Sequence, residues 1–132
     1  MLFRSEGISA HFHDQAYFER FGIQHNAIDI PTVQGTTVHA AADGVVARVS
    51  DNGMGFNAIV LSHDGRFSTM YGHVSAFLVK EGDRVRSGDP IALSGGTPGT
   101  PGAGNLTTGA HVHFELVQKG EPVDPLQYLP KF

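Results

Sequence analysis

The 132-residue sequence reads as an all-β domain, a sandwich or barrel, and three observations lead there. From Ala27 onward, short runs rich in Val, Ile and Thr recur at the spacing of such folds. Between the runs stand Asp43-Gly44, Asp51-Asn52-Gly53, Asp64-Gly65 and Lys119-Gly120, residues that make tight turns. In the clearest run, His111 to Val117, apolar and polar residues alternate. Val112, Phe114 and Leu116 fall on one strand face, and His111, His113 and Glu115 fall on the other.

The first 24 residues are an irregular, aromatic-rich arm containing Phe3, Phe12, Tyr17, Phe18 and Phe21. The expected strands are then Ala27–Ile30, Thr37–Ala41, Val45–Ser50, Asn57–Ser62, Phe67–Val74, Ile91–Ser94 and His111–Val117. Val79 to Leu93 carries two Gly-Asp turns around a hairpin corner into the strand at Ile91. Similar phrases occur in biotinyl and lipoyl carrier domains and in a sugar-permease phosphocarrier domain, so this one speaks to architecture. Gly95 to Gly109 holds six glycines and two prolines and reads as a loop flanking whatever the paired histidines do. Asp124-Pro125 ahead of Leu126 to Leu129 has the form of a helix cap with proline in the first turn, hence one short C-terminal helix.

Composition narrows the function classes. One domain spans residues 1–132, with a core from 25 to 129, and it is long enough to bury a real interior. Apolar residues make up 40% and charged ones 17%, which excludes a disordered chain. A net charge of −4, spread evenly, lacks the basic footprint of a nucleic-acid binder. With no cysteine, any zinc must be held by His, Asp or Glu. No apolar run reaches the roughly 20 residues of a membrane span, and no signal peptide is visible at the start. The chain therefore either stays in the cytoplasm or is a processed piece of an exported protein.

Eight histidines direct attention to sites. His111 and His113 share a strand face with Cα atoms roughly 6–7 Å apart, which suits a metal or a proton-transfer site. A catalytic zinc takes three protein ligands and keeps one position open. His25 and Asp29 stand four residues apart, too far for one ion in a regular strand at roughly 13 Å. They meet on a metal only if the segment bends between them. His39 and His63 sit beside turns and read as surface or supporting residues, and Glu115 either orients a neighbouring histidine or is simply solvated.

Taken together, His25-(three residues)-Asp29, Tyr71-Gly72-His73 and His111-Val112-His113 resemble the lysostaphin-type zinc peptidases, which cut peptide cross-links in bacterial peptidoglycan. The likeness extends to Gly35 through Val46, Val79 through Leu93 and Val123-Asp124-Pro125-Leu126, covering about residues 22–129. It implies one Zn2+ per chain on His25, Asp29 and His113, with His73 and His111 as unbound catalytic histidines. It also implies an antiparallel β-sheet sandwich or half-barrel with a central groove, peptidoglycan stems or cross-bridges as substrate, and the cell envelope as location. No HExxH helix is present, so the proton falls to a histidine beside the open position. His11-Phe12-His13 lies outside the resemblance, and an imidazole-rich arm of this kind is able to cap the open position and keep the enzyme latent. Two other readings stand beside this one: a non-catalytic wall-binding or activator module of the same fold, and a phosphocarrier-like domain with a phosphorylated histidine.

Overall fold

The computed structural model describes residues 27–63, 67–104 and 109–125. The arm with His11 and His13, the residue His25 and the expected helix at 126–129 lie outside the described residues. The elements are strands: β1 (Ile28–Pro31), β2 (Thr37–His39), β3 (Gly44–Ser50), β4 (Ala58–Ser62), β5 (Phe67–Gly72), β6 (Ala76–Phe77), β7 (Arg84–Val85), β8 (Pro90–Leu93), β9 (His111–Gln118) and β10 (Glu121–Val123). All seven runs expected from sequence are strands, within two residues of their expected ends. The additional strands β6, β7 and β10 are two or three residues long. Strands so short carry no period of their own and exist through their partners.

The strands form two antiparallel sheets. The larger runs β1-β9-β5-β4-β3-β7, with β10 also on β9, and the smaller runs β2-β8-β6. β9 is the longest strand and is paired along both edges. One edge faces β5, and the other is shared by β1 at the His111 end and β10 at the Gln118 end. The start of β9 also touches the chain leaving β8 through a bridge between Gly95 and His111. No helix among the described residues is long and apolar enough to cross a membrane.

The alternation along β9 holds. Val112, Phe114 and Leu116 are buried in the core, which also takes Ile28 and Ile30 from β1, Ile59 and Leu61 from β4, and Val38, Ile91 and Ala92 from the small sheet. Register explains how these meet. Ile28 faces Phe114, Phe114 faces Tyr71, and Tyr71 faces Ile59, so one apolar row crosses four strands. The next row is offset by one residue and lies on the opposite face. It reads Asp29, His113, Gly72 and Ala58.

Tyr71 is the polar exception inside the core, and its hydroxyl is satisfied. It accepts the Ala41 N–H at 3.0 Å and bonds to Thr69 Oγ1 at 2.8 Å. Thr69 Oγ1 also meets His63 Nε2 at 2.7 Å, and His63 Nδ1–H donates to the Asp43 carbonyl at 2.8 Å. His39 donates similarly to the Gly88 carbonyl at 2.9 Å. Both histidines therefore have the supporting roles expected from their turn-side positions.

Burial pushes the Tyr71 phenol up to about 12, against the opposing pull of Thr69 and the Ala41 backbone. An unfolded tyrosine ionises near pH 10, so between about 10 and 12 the folded chain holds a proton that the unfolded chain has lost. Stability from this group is complete below pH 10 and declines as pH rises toward 12. Tyr71→Phe removes that alkaline decline and leaves the Ala41 N–H short of an acceptor. The expected cost at pH 7 is about 1–3 kcal/mol, measured by urea unfolding at pH 7 and across pH 9–12.

Candidate active site

The polar face of the β1–β9–β5 row is where the chemistry-bearing residues collect. Asp29 and His113 are direct register partners across β1 and β9, although 84 residues separate them in sequence. Asp29 Oδ1 lies 3.0 Å from His113 Nδ1 and 3.6 Å from His111 Nε2. Asp29, His73 and His111 are buried, and His113 is half-buried. The structure thus brings together four of the five residues singled out from sequence; His25 lies outside the described residues.

Each of the β9 imidazoles is oriented by its second nitrogen. His111 Nδ1–H donates to the Gly109 carbonyl at 2.7 Å, which leaves the Nε2 lone pair toward Asp29. His113 Nε2 is 3.1 Å from Glu115 Oε2. A carboxylate that takes the Nε2–H proton leaves Nδ1 as the ligating atom, the arrangement common around protein metals. Of the two sequence readings of Glu115, the structure shows the orienting one.

His73 arrives differently. Its φ is +61°, which ends β5 at Gly72 instead of Val74 and turns the chain out of the sheet. A left-handed non-glycine residue stores about 1–3 kcal/mol of strain. That turn carries the His73 ring to 4.6 Å from the His111 ring and 5.8 Å from the His113 ring, centre to centre. Its Nδ1 is buried and has no hydrogen-bond partner among the described residues.

The electrostatics set His73 and His113 apart. Burial drives His73 down to about 4, helped by His111 and His113 and opposed by Asp29 and the Ala103 backbone. It is uncharged at neutral pH. Burial also pulls His113 down, but hydrogen bonds and charge from Asp29 and Glu115 outweigh it and lift this group to about 9. Asp29 and Glu115 therefore favour positive charge on His113.

The donor set fits a hard-to-borderline divalent ion. Asp29 Oδ1 and His113 Nδ1, an oxygen and a nitrogen 3.0 Å apart, are donors of the kind that would hold zinc. Among the described residues no group of three or more His, Asp or Glu side chains forms a metal cluster.

One residue missed by the sequence reading, Phe56, stands against the site, with Gly72 behind it. The Phe56 ring stands edge-on to His73 at 4.8 Å and to His113 at 5.7 Å, with interplanar angles of 87° and 89°. Gly72 makes this possible, because a Cβ there would collide with the Phe56 ring. Gly72 was legible only as the middle of Tyr71-Gly72-His73. Phe56 belongs to no motif.

Comparison with known proteins shows what the chain is similar to. The profile of Peptidase family M23 matches residues 23–125. Peptidoglycan DD-endopeptidase ShyA of Vibrio cholerae is 36% identical over 103 residues, 78% of this chain and 22% of ShyA. Murein hydrolase activator NlpD of Salmonella dublin is 33% identical over 122 residues, 89% of this chain and 30% of NlpD. A crystal structure of a zinc-containing peptidase from Vibrio cholerae matches with a TM-score of 0.80 at 34% identity, covering 97% of this chain and 38% of that one. The chain therefore spans only 22% and 30% of the lengths of these two curated relatives.

If Glu115 orients His113 for a metal, Glu115→Gln lowers zinc affinity about 10- to 100-fold while leaving the fold intact. Competition with a chromogenic chelator measures the first, and circular dichroism checks the second.

Proposed function

The chain belongs to Peptidase family M23, and from that premise we propose that it is a zinc-dependent endopeptidase that hydrolyses the peptide cross-links of bacterial peptidoglycan. The observation that carries the reading is the Asp29 Oδ1–His113 Nδ1 pair at 3.0 Å, with the far nitrogen of His113 held by Glu115. In this reading His25, Asp29 and His113 hold one Zn2+ per chain, and His73 and His111 remain unbound. The name of the ShyA relative supports peptidoglycan as the substrate, and that substrate places the work in the cell envelope.

When bound, zinc supplies a Lewis acid that polarises a peptide carbonyl and readies water for attack. The chain's own residues move the protons. His111 has committed Nδ1–H to Gly109, so its Nε2 lone pair takes a proton from the attacking water and returns it to the leaving amine. His73 is neutral near pH 7 with its ring N–H on the Ala103 backbone, so its Nδ1 lone pair shares the proton work at the attacking water. Asp29 keeps a carboxylate beside both β9 histidines and so steadies the charge that His111 acquires.

The similarity to NlpD keeps an activator role as the second reading. A module that only binds a partner has no need of a carboxylate paired with an imidazole, nor of two further histidines against it. A phosphocarrier likewise gives Asp29 nothing to do.

Mass spectrometry of fragments released from purified cell walls tests the proposal. Newly cut peptide bonds are expected, lost on chelation and restored by one equivalent of zinc. Asp29→Ala and His113→Ala each reduce the release rate by more than the roughly 10–100-fold of an outer-partner change. Wall digestion that survives chelation and both substitutions overturns the reading, and intact walls with zinc bound favour the activator.

A further inference from the structure

We propose that Phe56 is a positioning residue that fixes the plane of the His73 imidazole. The inference rests on the peptidase reading for its catalytic arm and on the ring geometry alone for its structural arm. The three imidazoles of the site are held in different ways. His111 is tied to the Gly109 carbonyl, and His113 sits between two carboxylates. Among the described residues, His73 has the Ala103 backbone as a polar partner, and its Nδ1 has none. One hydrogen bond leaves an imidazole free to tilt about it, so packing must set the plane.

Phe56 is placed to do this. Its ring meets His73 at 4.8 Å and 87°, the edge-to-face geometry that an aromatic quadrupole favours. The contact is built from both sides. Gly72 carries no Cβ where the Phe56 ring tip lies. On the loop side, Asn52 Nδ2–H donates to the Phe56 carbonyl at 2.8 Å, and the Gly104 N–H donates to the Met54 carbonyl at 3.1 Å. A side chain held on a clamped backbone and seated in a notch is a rigid stop for the imidazole beside it.

Phe56→Leu keeps apolar volume but loses the planar edge. The expected result for Phe56→Leu is a fall in kcat of about ten- to a hundredfold, as for a misplaced catalytic group, with KM and zinc content within twofold of wild type. A second measurement needs neither zinc nor activity. In the metal-free protein, the His73 ring resonances are sharp in wild type and broaden or split in Phe56→Leu, while those of His111 stay sharp. The inference is overturned if Phe56→Leu leaves kcat unchanged, if its loss follows zinc content, or if the His73 resonances stay sharp. Should wild type cut no walls, the peptidase reading fails, and the resonances still decide the role of Phe56.

Discussion

The pairing of β1 with β9 is the constraint on which the rest of the molecule depends. Asp29 meets His113 because Ile28 meets Phe114 and Ile30 meets Val112. Strand side chains alternate with a period of two, so the apolar contacts that fill the core also fix which polar groups face one another behind it. A slip of one residue would send Asp29 into the core and Ile30 toward the histidines. The hydrophobic effect thereby holds the site in register without touching it.

That arrangement also resolves a conflict of charge. Burying a carboxylate is unfavourable unless it is paired. Asp29 is buried, and two imidazoles lie within 3.6 Å of it. The Asp29–His113 contact at 3.0 Å thus offsets the burial of the carboxylate. His73 has no such compensation and stays neutral. One small cluster therefore holds both an imidazole suited to carrying positive charge and one that resists it.

Much of this was legible in the sequence, and the limits are physical. The alternation from His111 to Val117 placed the buried and polar faces of β9 because a strand's period is local. The site residues came from three short motifs and their family resemblance. What spacing could not give was how Asp29 reaches His113, since contact across 84 residues is a property of strand pairing. It also missed β6, β7 and β10, whose few residues are ordered by their neighbours. Phe56 was invisible for a different reason: it lies in a loop, where no period marks which way a side chain points. The end of β5 at Gly72 was missed because nothing local announces a left-handed histidine.

The glycine-rich segment after β8 has a further consequence. Gly102 N–H donates to the Gly53 carbonyl at 2.8 Å, and Asn57 N–H donates to the Gly102 carbonyl at 3.4 Å. Gly102 itself presses so closely on the Val74 carbonyl that any side chain there would collide. A stretch whose composition suggests a flexible tether is in this part stitched to the neighbouring loop. Its ordering entropy is spent during folding, so whatever packs against it meets a surface already in shape and loses correspondingly little affinity to reorganisation.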